Sequence, residues 1–210
     1  MNKDFNTTNG FGYVDLGLPS GTLWATKNIG ADKPSDFGLY FQWGDVQGYT
    51  QDQIGYGKKK FSSDWSDHKW YLSGDDFDND NFTKYKTEGA TLELGDDAAH
   101  IHMGGSWHIP SSEQIQELID NTTSKWIKLD NVNGRFFTSK SDTSKTIFIP
   151  AAGWASNGSL SSVGDVADVW SSTLDTSNVS YGQDLYFGSV YVGLDDGRRY
   201  CGFSVRGVLG

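Results

Sequence analysis

The stretch DDAAHIHMGGSWHIPSSEQIQELI, residues 96–119, predicts two short helices, and the segments on either side of it predict strands. Its first residues favour a helix start, because the carboxylates of Asp96 and Asp97 interact well with the positive end of a helix. Gly104 and Gly105 end this first helix, since glycine readily adopts the left-handed conformation found at helix C-termini. The first helix is therefore expected to be short.

The second helix carries the clearer signal. Ser111 and Gln114 have the spacing of a capping box, in which each side chain satisfies a backbone N–H group of the first turn. Ile115, Leu118 and Ile119 then recur at the spacing of one helical face. We expect this apolar face to pack on the core and the helix to end shortly after it.

Strand patterns flank the helices on both sides. Alternating apolar residues, aromatic and β-branched runs, and turn residues between them indicate short strands. The predicted strand segments are 13–18, 23–26 and 39–43 before the helices, and 135–138, 146–149, 170–174, 185–187, 190–192 and 203–206 after them. The pair that encloses the polar turn at 141–144 is expected to form a hairpin. Strands, two helices and then many short strands predict an α+β fold with much irregular structure.

The length of 210 residues suits a single domain. Residues 1–12 are predicted to be a flexible N-terminal segment, because polar chain ends fray, and the domain is expected to span 13–210. Residues 46–90 lack sustained periodicity and are rich in Asp, Asn, Ser, Gly, Tyr and Trp. They indicate a long structured insertion, and long loops in compact domains are often functional.

The chain is acidic, with 17 Lys and Arg against 27 Asp and Glu and a formal net charge of -10. This argues against nucleic acid as the main partner, because phosphate binding needs clustered basic side chains. An anionic membrane surface is disfavoured for the same reason. No apolar stretch approaches the length of a membrane span, so membrane insertion is not expected. The first five residues show no apolar core of a signal peptide.

The single cysteine and three neighbouring histidines bear on whether the chain has a redox or a zinc site. Cys201 is the only cysteine, which excludes an internal disulfide, a multi-cysteine zinc site and paired-cysteine redox chemistry. His100, His102 and His108 lie close together in the sequence, but no carboxylate or thiolate at a suitable spacing completes a zinc site. Packed histidines at a helix end are the favoured interpretation.

Three alternating aspartates, Asp76, Asp78 and Asp80, are weak candidates for calcium ligands. The run is rich in oxygen ligands, which calcium prefers, but Asn81 and Thr87 stand where an EF-hand loop has Gly and Glu. A solvated acidic loop is the favoured interpretation. We therefore expect no cofactor, with calcium as the alternative.

Eight segments of the chain carry a resemblance to a known group of domains. They are 14–18, 23–31, 38–44, 96–100, 104–110, 149–153, 170–172 and 202–206. Together they resemble domains of the Fibrobacter-succinogenes-major-paralogous type, which are common in gut Bacteroidetes and their phages. The resemblance covers about residues 13–207 and implies a C-type-lectin-like fold of the formylglycine-generating-enzyme type. That enzyme uses paired cysteines, which this chain lacks, so the resemblance carries no oxidase chemistry.

The C-terminal residues 170–207 resemble the variable region of proteins diversified by retroelements. In those proteins adenine-specific mutagenesis rewrites Asn codons to residues such as Asp, Gly, Ser, Tyr, Leu, Arg and Cys. The residues of these types that the resemblance assigns to ligand binding are Asp175, Ser177, Ser180, Tyr181, Asp184, Tyr186, Gly188, Tyr191, Gly193, Leu194, Asp195, Asp196, Gly197, Arg198, Tyr200 and Cys201. Residues that resemble a fixed frame stand between them: Trp170, Leu185, Phe187, Val190, Val192, Arg199, Gly202, Phe203, Val205 and Arg206.

Such a tail has a coherent binding chemistry. Tyrosine offers a large, stiff contact area with a polar tip, while Ser, Gly and Asp adapt the hydrogen bonding around it, as in antibody loops. The four tyrosines of the set are therefore expected to anchor a ligand. The side chains expected to select it are Asp184, Asp195, Asp196 and Arg198. The competing interpretation is that these tyrosines are ordinary strand residues packed on their neighbours.

The resemblance predicts a non-enzymatic ligand- or receptor-binding protein with a diversified C-terminal surface, such as a phage tail-fibre tip or a surface adhesin. The expected target is a protein or glycan receptor on a cell surface, and the expected location is a phage virion tip or a secreted or cell-surface position. An oligomer, formed through a fibre or a neighbouring protein, is compatible with this role. The alternatives are a structural surface domain without a dedicated ligand and a calcium-dependent carbohydrate binder.

Overall fold

The structure, a computed structural model, describes residues 6–57, 60–73 and 79–210, and these ranges form mostly β-structure with two short α-helices and several small sheets. The strands are β1 (Asn6–Thr8), β2 (Phe11–Asp15), β3 (Leu23–Ala25), β4 (Tyr40–Phe41), β5 (Thr122–Leu129), β6 (Val132–Ser139), β7 (Thr146–Pro150), β8 (Trp154–Ser156), β9 (Ser159–Ser161), β10 (Ala167–Leu174), β11 (Tyr181–Phe187), β12 (Val192–Arg198), β13 (Phe203–Ser204) and β14 (Val208–Leu209). The helices are α1 (Ala98–Met103) and α2 (Ser112–Asn121). The prediction of short strands with two short helices is confirmed.

Both helices have the caps that the sequence predicts. The Asp97 carboxylate accepts a hydrogen bond from the backbone N–H of His100 at 2.9 Å, and Gly104, with φ of +70°, ends α1. In α2 the Ser111 hydroxyl accepts from the backbone of Gln114 at 3.3 Å, and the Gln114 side chain accepts from the backbone of Ser111 at 3.0 Å. These bonds satisfy N–H groups that the first turn leaves unpaired. Among the described residues, neither helix has the length and apolarity that a membrane crossing requires.

The helix α2 covers one face of a five-stranded sheet whose order is β12-β11-β10-β13-β4. The first three strands are antiparallel, and β13 joins β10 in parallel. Ile115 and Leu118 of α2 are buried in one cluster with Val169, Leu185 and Phe187 of the sheet. This apolar contact fixes which side of β11 faces α2.

The opposite face of the same sheet packs against a second, aromatic cluster. Trp170 stacks on Phe203 with ring centroids 4.0 Å apart, and its indole N–H donates to the carbonyl of Phe41 at 2.7 Å. Trp43 and Trp107 are fully buried in the same cluster. The sheet is therefore sandwiched between two cores, as expected for a layered domain.

The sequence predicts a flexible segment over 1–12, of which the described residues 6–12 lie in a paired sheet. Residues 6–8 form β1, which pairs antiparallel with β2, and the sheet continues through β3 to β14. Asn9 and Gly10 connect the two strands with φ of +51° and +80°. Positive φ at both central positions is the requirement of a tight hairpin turn, and Asn-Gly is the dipeptide that meets it best.

The strands β6 and β7 form the predicted hairpin, in which Phe136 lies opposite Phe148. The two rings are in tilted contact, with centroids 5.2 Å apart. The third strand of this sheet, β5, follows α2 directly and was not indicated by the sequence. Its polar and charged side chains hide the alternation that marks a strand.

The segment 46–90 is structured in its described parts, as predicted for an insertion. It forms 3-10 turns at Gln51–Gln53, Trp65–Asp67 and Asn79–Asn81, joined by bends and isolated bridges. Phe61, Trp70 and Phe82 of this segment are buried in or beside the aromatic cluster. The segment therefore contributes to the core that supports the C-terminal strands.

Candidate functional site

The predicted variable region spans β10, β11, β12 and β13 of the five-stranded sheet. Most of its predicted frame residues are buried: Trp170, Leu185, Phe187, Arg199, Gly202, Phe203, Val205 and Arg206. Val192 is half-buried and packs against the cluster beneath α2. Val190 differs from the other predicted frame residues, because its side chain is 94% exposed in the loop between β11 and β12.

Arg199 fixes the tail to the segment that precedes α1. Its guanidinium is fully buried and donates to the carbonyls of Lys84, Tyr85 and Val179 at 3.1 to 3.3 Å. It also lies 4.3 Å from the ring centroid of Phe82. Desolvation lowers the pKa of this guanidinium to about 9. These contacts account for an arginine in the frame, because lysine lacks the planar fork that they need.

Arg206 performs a similar task at the end of the tail. Its buried guanidinium donates to the Asn28 side chain at 2.8 Å and to the carbonyls of Ala25 and Phe148 at 3.0 Å. Burial lowers the pKa of Arg206 to about 9. The two frame arginines therefore donate their hydrogen bonds to interior groups, and their buried guanidinium groups are not available to a ligand.

The predicted ligand-binding residues divide between surface and interior. Those that are exposed or half-buried are Asp175, Ser177, Tyr181, Tyr186, Tyr191, Leu194, Asp195, Asp196 and Arg198. Those that are buried are Ser180, Asp184, Gly188, Gly193, Gly197, Tyr200 and Cys201. The expectation of one exposed face therefore does not hold for the second set. Its members lie at inward positions of the strands or in turns that pack on them.

Asp175 and Ser177 form the turn that connects β10 to β11. The Asp175 carboxylate accepts from the backbone and hydroxyl of Ser177 at 2.9 and 2.7 Å, and from the backbone of Asn178 at 2.9 Å. An aspartate that bonds the backbone two residues later stabilises a turn. The geometry thus gives Asp175 a structural task.

Arg198 joins two of the predicted tyrosine anchors. Its Nε donates to the Tyr181 hydroxyl at 3.1 Å and a terminal nitrogen donates to the Tyr200 hydroxyl at 3.4 Å. These hydrogen bonds raise the pKa of Arg198. Tyr200 is itself buried and meets Trp65 edge-on at 4.8 Å. This group is a polar patch at one end of the hairpin.

A different group forms on the face of the sheet that carries Trp170. Asp184 lies opposite Trp170 on one side and opposite Asp195 on the other, and Tyr186 lies opposite Asp168. Residues directly opposite in antiparallel strands point to the same face. We call Asp168, Asp184 and Asp195 the acidic cluster.

Two members of the acidic cluster are buried and have carboxylate oxygens without a hydrogen-bond partner among the described residues. Asp184 is 1% and Asp168 8% exposed, whereas Asp195 is exposed. Among the described residues, neither carboxylate oxygen of Asp184 has a hydrogen-bond partner, nor has Oδ2 of Asp168. Unpaired buried charge is costly, and such groups remain neutral over a wider pH range.

The pKa values follow from this environment. Burial, followed by repulsion from Asp195, raises the pKa of Asp168 to about 7. Burial also raises the pKa of Asp184 well above its ordinary range, and the charges of Asp168, Asp195 and Asp196 add to the effect. Perturbed carboxyl groups of this kind concentrate at functional sites, although structural causes also produce them.

An open pocket of about 220 Å³ adjoins this face at the loop between β11 and β12. Tyr186 and Tyr191 contribute two of its walls, with ring centroids 6.1 Å apart and planes inclined by 38°. Tyr191 is 56% exposed, and its hydroxyl lies where a side chain on Gly193 would begin. Gly193 therefore lets the Tyr191 ring lie over β12. Asp165 adds a carboxylate to the pocket wall.

The histidines considered for zinc bind three different backbone carbonyls. His100 contacts the carbonyl of Trp107 at 3.3 Å, His102 that of Val46 at 2.8 Å, and His108 that of Ser106 at 3.1 Å. In the described ranges, no three His, Cys, Asp or Glu side chains are grouped to hold a metal ion. The donor geometry thus fits packed histidines.

The calcium candidates fall partly beyond these ranges. Asp76 and Asp78 lie outside the described residues. Asp80 forms an ion pair with Lys86 at 2.9 Å, which lowers the pKa of its carboxyl. Asp80 thus has a cationic partner from the chain itself.

Cys201 is a buried free thiol. Desolvation raises its pKa to about 12, so the thiolate that would act as a nucleophile is scarce at neutral pH. Its environment includes the Ser156 side chain and the more distant carboxylates of Asp168 and Asp184. Packing explains this residue better than reactivity.

Asp168 is the member of the acidic cluster that sequence reasoning missed. Its signal is an aspartate within the run Ala167-Asp168-Val169-Trp170, whose other members are apolar. All four residues are buried in β10. A charged residue inside a buried strand is uncommon and indicates either a functional role or a specific partner.

Comparison of the chain with protein-family models, with curated proteins and with solved structures finds no match. Function must therefore be inferred from the residues and their geometry, because a fold class alone is compatible with many functions.

Proposed function

We propose that this chain is a non-enzymatic ligand- or receptor-binding protein with a C-type-lectin-like fold of the formylglycine-generating-enzyme type. In this proposal its C-terminal surface is diversified by a retroelement and binds a receptor on a cell surface by complementarity of shape and charge. The protein would act at a phage virion tip or as a secreted or surface-displayed adhesin.

One observation carries the proposal: the hairpin of β11 and β12 separates a buried frame from exposed positions. Leu185 and Phe187 are fully buried, whereas Tyr186 between them is half-buried on the opposite face. Asp195 and Asp196 are exposed on the adjoining strand. Side chains at such outward positions can change with little effect on the core, since most stability resides in buried contacts.

The exposed set also has the composition of a binding surface. Tyr181, Tyr186 and Tyr191 provide aromatic area with hydroxyl groups, and aspartates lie beside them. Aromatic anchors surrounded by adaptable polar side chains are typical of antibody-like recognition. The buried Cys201 thiol, with its raised pKa, is consistent with a site that performs no covalent chemistry.

The direct test is deep sequencing of codons 170–207 in many individual copies from the source population. We expect variation at Asn-derived codons for the exposed tail residues, with Trp170, Phe187 and Phe203 unchanged. Variation concentrated on Tyr186, Tyr191 and their exposed neighbours supports a diversified binder.

An invariant tail, or one that varies no more than the rest of the chain, would overturn the proposal. In that case a structural surface domain without a dedicated ligand becomes the better description. The outcome does not depend on knowing the ligand, which makes it the first experiment to perform.

A further inference from the structure

The C-terminal part of the chain contains more acidic residues than basic ones. After Lys145 the sequence contains six aspartates, no lysine and three arginines. Arg198 is bonded to two tyrosine hydroxyls, while Arg199 and Arg206 donate to interior groups. The acidic cluster thus has no cationic partner from this part of the chain.

A base from another element comes near the pocket and is also occupied. Arg135 of β6 donates from Nε to the carbonyl of Gly188 at 2.9 Å and from a terminal nitrogen to the Ser124 hydroxyl at 2.8 Å. Its pKa is lowered by desolvation, as expected for a buried guanidinium without a carboxylate partner. Arg135 therefore shapes the loop between β11 and β12.

Asp184 is the observation that points to a ligand. Its side chain is 1% exposed, both carboxylate oxygens lack a partner among the described residues, and the register places it on the face of Asp168 and Asp195. Orphaned buried polar groups are rare in folded proteins, and each one calls for an explanation such as a role in function. A positive group bound in the pocket beside Tyr186 would lower the electrostatic cost of these carboxylates without contacting Asp184, whose oxygens are closed to solvent.

The surroundings match an organic cation better than a metal ion. Tyr186 and Tyr191 form an inclined aromatic corner, and the electron-rich faces of such rings attract ammonium and guanidinium groups. In the described ranges no group of three ligands is arranged to hold a metal. The pocket of about 220 Å³ is smaller than typical sites for whole small-molecule ligands and suits one side chain.

We propose that the pocket at the end of the β11–β12 hairpin takes the cationic end of an arginine or lysine side chain from a protein partner. The cation contacts Asp165 and the Tyr186–Tyr191 corner, next to the face of the sheet that carries the acidic cluster. This inference rests on the proposed binding function and narrows its ligand to a basic segment of a protein receptor.

The test uses the whole chain, labelled with ¹⁵N, and follows backbone amide shifts during titration with N-acetyl-arginine amide. The comparison ligand is N-acetyl-citrulline amide, which has nearly the same shape without the charge. We expect the arginine compound to shift amides of residues 184–196 with a dissociation constant in the millimolar range, because one side chain supplies only part of an epitope. N-acetyl-citrulline amide should leave the chemical shifts of these amides unchanged.

Substitutions locate the site. Asp165→Asn and Tyr191→Ala each change an exposed residue of the pocket wall and are expected to weaken arginine binding about fivefold. Asp120→Asn on the exposed end of α2, which packs on the opposite face of the sheet, removes the same charge and should leave the binding unchanged. Equal weakening by Asp120→Asn would mean that only the net charge of the protein matters, which overturns a defined site.

Equal shifts with citrulline, or none with the arginine and lysine amides at tens of millimolar, also overturn the inference. Preferential binding of a neutral or acidic sugar at the same amides would do so as well. These outcomes differ from failure of the proposed function, which is decided by tail sequence variation. A diversified tail that ignores cations would retain the function and refute only this ligand class.

Discussion

Asp184 of β11 lies directly opposite Asp195 of β12, so two carboxylates occupy neighbouring positions on one face of the sheet. Like charges directly across a strand pair are destabilising. Here the effect is intensified because Asp184 is buried and has Asp168 as a further acidic neighbour. The hairpin that is proposed to bind a ligand is therefore held in a conformation that its own charges oppose.

Replacing Asp184 with asparagine is expected to stabilise the protein at pH 8. Asparagine has nearly the same shape and cannot ionise, so the variant loses the penalty that burial and the neighbouring carboxylates impose on the ionised form of Asp184. We expect the melting temperature to rise by roughly 2–6 °C, as for a gain of one to two kcal/mol in a domain of this size. Thermal unfolding followed by circular dichroism measures it.

A lower melting temperature for Asp184→Asn at pH 8 would show that the carboxylate makes a favourable bond. Asp32→Asn, at an exposed position between β3 and β4, removes the same charge on the surface. It serves as the matched control and should change the melting temperature by about 1 °C or less.

Asp168 gives the stability a defined pH dependence. Its pKa is about 7 in the folded protein and close to 3.8 when unfolded. A raised folded pKa means that the folded state holds its proton longer, so stability is fully present below pH ~4 and declines as the pH rises to about 7. Above that pH the loss of stability is complete and stays constant.

Asp168→Asn should therefore be equal to the wild type near pH 4 and more stable by on the order of 2–4 kcal/mol at pH 8, from the free energy per pKa unit. Urea unfolding at several pH values measures the difference. A difference that is constant across the whole range would contradict the assigned titration.

The adjacent residues Arg198 and Arg199 offer a comparison of surface and interior. Arg199→Lys removes the planar donors to three carbonyls and the contact with Phe82, and leaves a buried ammonium without a carboxylate. We expect a loss of about 2–4 kcal/mol in the free energy of unfolding. Arg198→Lys should cost less than about 1 kcal/mol, because that side chain is partly exposed.

Denaturant unfolding of the two variants measures both losses in the free energy of unfolding. A larger cost for Arg198→Lys than for Arg199→Lys would mean that the frame and surface assignments of these arginines are reversed. A loss at Arg199 alone agrees with a fixed residue that anchors the tail to the segment before α1.

The features that the sequence predicted correctly are local. The caps of α1 and α2 depend on residues a few positions apart, such as Ser111 and Gln114, and the structure contains both. The β6–β7 hairpin also follows from two apolar runs around a polar turn. In contrast, β5 was missed because its exposed positions carry polar and charged residues such as Lys125.

The acidic cluster could not be predicted in the same way because it depends on strand register. Asp168, Asp184 and Asp195 come from three strands and meet only when these strands pair as observed. A shift of one residue in any pairing would turn a carboxylate to the other face. Residue type suggested which tail positions were unusual, but the burial of Tyr200 depends on long-range packing with Trp65.

The exposed and buried positions of the hairpin predict opposite responses to the same substitution. Val190→Asp alters a side chain that is 94% exposed, and we expect the melting temperature to change by less than about 2 °C. Leu185→Asp places a charge in the fully buried cluster beneath α2 and should abolish cooperative unfolding, because the cost of burying an unpaired carboxylate rivals the stability of a domain. Calorimetry of the two variants distinguishes a small change in melting temperature from the loss of cooperative unfolding.

If Val190→Asp also unfolded the protein, the loop would be part of the core and the separation of frame from binding surface would fail. A folded Val190→Asp variant beside an unfolded Leu185→Asp variant indicates that the hairpin can accept new side chains on its outer positions while its inner positions stay fixed.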